Sequence, residues 1–193
     1  MSIQSICVFC GASLGFNPAY RAAATELGKL FGGSGVQLVY GGGGSGLMGI
    51  VADSVLEAGG EVTGVIPDYL QDRELGHQKL TRLEVVSSMH ERKRRMFDLA
   101  DGIVVLPGGV GTLEEALEVI TWKQLGMHNK PIVILNVQKY WQKLNELIAE
   151  TIEEGFAAPP TRDLYELVDL PSHVIPTLER IQQNPINTDL ARS

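Results

Sequence analysis

Scarce cysteine, scarce histidine and the absence of any long apolar run set the first limits. Two cysteines in 193 residues cannot make a disulfide framework. Cys7 and Cys10 do spell C-x-x-C, but inside the apolar run Ile6–Cys10. Three apart on a strand, they point to opposite faces, which reads as two buried thiols rather than a redox or metal pair. The four histidines, His77, His90, His128 and His173, show no metal-ligand spacing, and no H-E-x-x-H is present, so no metal is predicted. G-x-x-x-x-G-K-[ST] is also absent, which sets aside a P-loop. No segment approaches the roughly 20 apolar residues of a membrane span. The start, Met-Ser-Ile-Gln-Ser-Ile-Cys, has neither a basic n-region nor a cleavage site, so the predicted location is cytoplasmic. Basic residues are outnumbered 16 to 23, a net charge of −7. Such a chain repels nucleic acid and anionic lipid, and any anion it binds must meet a local basic site.

Hydrophobic residues at 44% and charged residues at 20% fit one globular domain, predicted over 1–183 with a frayed tail over 184–193. Short apolar runs alternate with amphipathic ones. Strands are predicted at Ile3–Phe9, Val36–Tyr40, Glu61–Ile66, Arg82–Val86, Gly102–Leu106 and Pro131–Leu135, with a weaker one at Glu166–Leu170. Helices are predicted at Pro18–Phe31, Gly46–Ala58, Met89–Ala100, Thr112–Leu125 and Tyr140–Glu153. Asn17 caps the first helix, and Gly32-Gly33-Ser34-Gly35 stops it. Strands that are apolar almost throughout, each followed by a helix, predict an α/β fold: a Rossmann-like, doubly wound, mostly parallel sheet with helices on both faces.

In that architecture ligands sit at the carboxyl ends of strands, near helix starts. Nine of the 22 glycines fall in two clusters at such places. One is Gly41 to Gly49, including Gly43, Gly44 and Ser45; the other is Gly108, Gly109 and Gly111, with Val110 and Thr112. A smaller turn, Gly11 to Gly15, carries Ser13. Bare amides at a helix start suit a phosphate. Gly44, Gly46 and Gly49 also match G-x-G-x-x-G, with Asp68 where a ribose-binding acid would lie, so a dinucleotide reading stands beside tight packing as an explanation of that cluster.

The segment Met89–Ala100 holds four consecutive basic side chains, Arg92 to Arg95. At about 100° per residue, Met89, Met96 and Ala100 form the buried stripe, and Arg92 and Lys93 fall within that apolar sector. Two inward cations are costly unless an anion meets them, which reads as an anion site; snorkelling stems are the other reading. Thr112-x-x-Glu115 matches a capping box, so Glu115 is either a helix cap or a functional carboxylate. Val119 and Trp122 share its face, opposite the stripe of Leu113, Ala116, Leu117 and Ile120. That second stripe predicts a homodimer packed through the Thr112–Leu125 helix.

Together these residues resemble the LONELY GUY (LOG) family of nucleoside 5′-monophosphate phosphoribohydrolases, many of which release cytokinins and were once mislabelled lysine decarboxylases. The motif P-G-G-x-G-T-x-x-E reads Pro107 to Glu115, M-H-x-R-K-x-x-M reads Met89 to Met96, and Y-G-G-G-x-x-G-L-M-G reads Tyr40 to Gly49. The resemblance runs from Ile6 to Phe156. It implies a Rossmann-like dimer that hydrolyses the N-glycosidic bond of an N6-modified AMP, giving an adenine-type base and ribose 5-phosphate, with no cofactor. By the same resemblance Arg92 and Glu115 are the catalytic pair. Lys93, Gly109, Val110, Gly111, Thr112, Thr121 and Glu74 are substrate-binding positions. A non-catalytic nucleotide carrier on the same fold is the competing reading, and an NAD(P)-binding enzyme a third.

Overall fold

The computed structural model describes residues 3–71, 77 and 79–185. Seven strands form one sheet: β1 Ser5–Phe9, β2 Gln37–Tyr40, β3 Val62–Pro67, β4 Arg82–Val86, β5 Gly102–Val105, β6 Ile132–Leu135 and β7 Glu166–Val168. Their spatial order is β4-β3-β2-β1-β5-β6-β7, and every neighbouring pair is parallel. The helices are α1 Pro18–Ser34, α2 Gly46–Glu57, α3 Asp68–Gln71, α4 Met89–Asp98, α5 Val110–Gln124, α6 Gln142–Glu153 and α7 Val174–Gln183.

Alternation along each central strand feeds two cores. Ile6 and Val8 join Leu27, Phe31, Val51 and Leu178 of α1, α2 and α7 on one face. Cys7 and Phe9 join Met96, Ala116, Ile120 and Ile148 of α4, α5 and α6 on the other. Burying each such side chain stabilises the fold by about 1.5–3 kcal/mol. Cys10 lies in the first core and Cys7 in the second, as strand geometry predicts. Burial pushes both thiols far above the ordinary cysteine range, so neither is a thiolate.

Several elements differ from the sequence reading, among them α3, which falls where no element is predicted. α1 runs through Gly32 and Gly33 and stops at Gly35, whose φ is 69°. The reason lies across the interface: a Cβ on Gly28 or Gly32 would stand 2.6 Å from the Cβ of Ser54 or Ala58, so these glycines let α2 approach. α5 begins at Val110, with Gly109 as its N-cap and no side-chain cap, so Thr112 and Glu115 form no capping box. Finally, Val119 packs in the chain's own core at 2% exposure, and the outward face of α5 carries Val110, Leu117 and Leu125 instead. α7 fills a stretch to which the sequence reading assigns no element. Its Pro176 falls in the first turn, where the missing N–H has no partner to lose.

Candidate functional site

The sheet order reverses between β1 and β5, one strand leading left to β2 and the other right to β6. Loops leaving the carboxyl ends of β1 and β5 therefore part in opposite directions and leave a crevice. A cleft of about 460 Å³ opens there. It is lined by Cys10 to Gly15 after β1, by Pro107, Gly108, Gly109, Gly111, Thr112 and Glu115 after β5, by Arg92 of α4, and by Tyr20 and Tyr140.

Arg92 is 6% exposed. Its Nη2 donates to the Gly41 carbonyl at 2.7 Å and its Nε to the Val65 carbonyl at 3.1 Å, while Nη1 lies 3.5 Å from the Met89 sulfur. A Cβ on Gly41 would stand 2.1 Å from Nη2, so this glycine is what lets the guanidinium reach the strand ends. α4 is set by its own start: the Ser88 hydroxyl accepts the Glu91 amide at 3.2 Å, and the Glu91 carboxylate accepts the Ser87 hydroxyl and amide. Those Ser87 hydrogen bonds hold the Glu91 carboxyl below its ordinary value.

Lys93 does not share the cleft with Arg92. Its amine lies 2.5 Å from Glu114 and 3.0 Å from Glu118, both on α5. Burial opposes its charge, but the two carboxylates outweigh burial and hold the amine above the ordinary lysine value. The inward cation found its anion inside the protein. The bond ties α4 to α5 and so fixes the helix carrying Arg92 against the helix carrying Glu115.

At the start of α5, physics leaves the first amides without intrahelical partners. The first helical bond runs from Leu113 to the Gly109 carbonyl. A Cβ on Gly109 or Gly111 would meet nothing within 4 Å. Their bareness therefore serves no packing purpose inside the chain and leaves the helix start open to a ligand. The start of α2 is different. The amides of Leu47 and Met48 both point at the Gly11 carbonyl, at 3.0 and 3.4 Å. A Cβ on Gly46 would stand 2.2 Å from the Ala12 carbonyl carbon, and one on Gly49 would stand 2.3 Å from the Gly44 oxygen. Gly46 and Gly49 thus serve close packing, and the Gly11 carbonyl takes up the Leu47 and Met48 amides that a dinucleotide pyrophosphate would need at this helix start. Asp68 is the first residue of α3, its carboxylate accepting the Tyr69 amide at 2.6 Å, and it does not line the cleft.

Of the site residues read from the sequence, Arg92, Glu115, Gly108, Gly109, Gly111, Thr112 and Ser13 line the one cleft. Gly43, Gly44, Ser45 and Lys93 lie outside its lining. Val110, 82% exposed, and Thr121 sit on the outward face of α5. Glu74 lies outside the described residues. Tyr140 and Tyr20 were not anticipated. Tyr140 lies in the loop that leaves the carboxyl end of β6, and the same strand-end rule that picked the other loops marks that loop. Among the described residues no group of three or more metal-ligating side chains converges, and no helix is long and apolar enough to cross a membrane.

Fold and cleft define a doubly wound, Rossmann-like protein with a cleft at the switch point. Within that class the sequence relatives are specific. The family model described as "Possible lysine decarboxylase" matches residues 48–178. The chain is 46% identical over 183 residues to the probable cytokinin riboside 5′-monophosphate phosphoribohydrolase LOGL2 of Oryza sativa subsp. japonica, covering 93% of this chain and 75% of that one. It is 46% identical over 176 residues to the cytokinin riboside 5′-monophosphate phosphoribohydrolase LOG1 of Arabidopsis thaliana, covering 89% and 82%. The chain belongs to this LOG family. Two solved structures share the fold. The molybdenum cofactor carrier protein of Chlamydomonas reinhardtii has a TM-score of 0.70 at 18% identity, over 93% of this chain and 98% of that one. The molybdenum cofactor binding protein of Rippkaea orientalis has a TM-score of 0.70 at 18% identity, over 94% and 99%.

Proposed function

We propose that this chain hydrolyses the N-glycosidic bond of an N6-modified adenosine 5′-monophosphate, releasing the free base and ribose 5-phosphate. The observation that carries the reading is the convergence of Arg92, Glu115 and the open start of α5 on one cleft. The amides of Gly109 to Thr112 hold the 5′-phosphate, with the Ser13 hydroxyl beside them and the helix dipole adding partial positive charge. That handle fixes the ribose next to Glu115. As the C–N bond stretches, positive charge builds on the sugar. The Glu115 carboxylate stabilises that charge and takes a proton from the attacking water. The water oxygen bonds to the sugar carbon, and the base leaves with the bond's electron pair and is protonated. Arg92, anchored on two backbone carbonyls, presents its guanidinium to the phosphate or to the departing base. Water is the co-substrate, so the reaction needs no metal or organic cofactor.

The same reading makes the protein a homodimer through α5, supported by the outward Val110, Leu117 and Leu125 at 82%, 41% and 56% exposure. It places the enzyme in the cytoplasm, where two free, buried thiols fit a reducing environment. It involves no nucleic acid or membrane.

Glu115→Gln separates chemistry from binding. Incubated with N6-isopentenyl-AMP and followed by chromatography, wild type releases free base. The variant loses on the order of 100-fold or more in kcat while binding ribose 5-phosphate within about threefold of wild type. A variant turning over near the wild-type rate would reduce Glu115 to a structural role. Intact ligand recovered from wild type after long incubation would favour a carrier instead.

A further inference from the structure

Gln138 and Lys139, in the loop after β6, have φ of 53° and 59°. They are the non-glycine residues with positive φ among the described residues. Side-chain-bearing residues rarely adopt this left-handed region, and they persist there only when the surroundings over-determine them. Here the surroundings are explicit. Asn136 is 5% exposed, and its Oδ1 accepts the Trp141 amide at 2.9 Å. The amides of Lys139 and Tyr140 close onto the carbonyls of Asn136 and Val137 at 3.0 and 3.1 Å. The strained turn delivers one side chain to the cleft. Tyr140 stands edge-on to Tyr20, ring centroids 5.5 Å apart, and its hydroxyl donates to the Gly108 carbonyl at 2.5 Å. Its residue is still 40% exposed, so burial does not explain the strain.

The Gly108 carbonyl belongs to the same peptide group as the Gly109 amide. In a trans peptide the two point in opposite directions. Pinning one aims the other, and that amide opens α5. A peptide flanked by two glycines has little orientational preference of its own. We propose that Tyr140 is a positioning residue for the phosphate turn. Through its hydroxyl it holds the Gly108–Gly109 peptide so that the Gly109 amide meets the ligand's phosphate, and the left-handed Gln138–Lys139 pair exists to place it. This rests on the cleft being the site of a sugar 5-phosphate.

The test compares wild type, Tyr140→Phe and Tyr140→Leu. Ribose 5-phosphate binding is measured by calorimetry, kcat and KM on N6-isopentenyl-AMP by chromatography, and the melting midpoint by calorimetric scan. Losing one hydrogen bond from the turn predicts that Tyr140→Phe weakens ribose 5-phosphate and raises KM by about tenfold, with kcat changed by less than about threefold and melting unaltered. Tyr140→Leu behaves like Tyr140→Phe, because the hydroxyl rather than the ring is what acts. Tyr140→Phe binding ribose 5-phosphate as tightly as wild type overturns the proposal, whatever Tyr140→Leu does. Wild type that binds ribose 5-phosphate in a Tyr140-dependent way but releases no base overturns the hydrolase reading and leaves this one standing. Wild type that neither binds the sugar phosphate nor releases base overturns both.

Discussion

Gly111 shows how a single residue divides between fold and site. It lies in the first turn of α5, and a Cβ there would touch nothing in the chain. Alanine suits a helix better than glycine by about 1 kcal/mol. Gly111→Ala is therefore expected to melt no lower than wild type while raising KM at least about fivefold, because its methyl occupies ligand space. Thermal scans and steady-state kinetics on the same preparation check this, and an unchanged KM removes the helix start from the site. Arg92 and Lys93 show what residue-level reading can and cannot reach. Helical spacing placed both cations inward. It could not show that Glu114 and Glu118 wait for Lys93 on another helix, because the pairing spans more than twenty residues of sequence. Nor could it show that Tyr140 reaches Gly108, a bond set by a strained turn and by the adjacency of β5 and β6.

At the scale of the element, strands were the legible part. Central strands buried on both faces must be apolar throughout, and that pattern needs no tertiary knowledge. Helix ends were less legible. α5 starts two residues before its apparent Thr112 cap because Gly109, not a side chain, forms the N-cap. The Gly41–Gly49 turn looked like a phosphate loop, but its helix start is taken by the Gly11 carbonyl, a contact between two loops that no local motif records. α5 also carries Lys123, 1% exposed, whose amine burial lowers from 10.5 to about 8. No carboxylate pairs with it among the described residues. Below pH 8 both folded and unfolded amines are charged, and the folded one is charged in an apolar place. Between about 8 and 10.5 the unfolded chain holds a proton that the folded chain has released, so wild-type stability rises with pH across that window. Lys123→Met keeps the length and removes the charge. It is expected to stabilise the protein at pH 7 on the order of 1–3 kcal/mol, with the gain shrinking toward pH 10.5. Denaturant melts at several pH values read this directly; a destabilised variant would mean that the ammonium has a partner in the assembled protein.

For the whole molecule, the decisive feature is the reversal of strand order between β1 and β5. It explains why residues from four separate chain segments, at Ser13, Arg92, Glu115 and Tyr140, meet in one cleft. The alternating pattern made the doubly wound sheet, and hence a cleft at the strand ends, readable in advance. The outward apolar stripe was less readable: Val119 belongs to the chain's own core, and the exposed apolar residues of α5 are Val110, Leu117 and Leu125, the face on which the proposed homodimer rests. Sedimentation mass of wild type against Leu117→Glu tests that face: a dimer that the charge splits is expected, and a wild-type monomer at micromolar concentration contradicts it. The chemistry itself is tested most directly by the product pair. Phosphorus NMR and chromatography of one reaction with N6-isopentenyl-AMP should show ribose 5-phosphate and free base in equal amounts, with both lost in Glu115→Gln. Inorganic phosphate with intact nucleoside, or ligand unchanged after prolonged incubation, would contradict it.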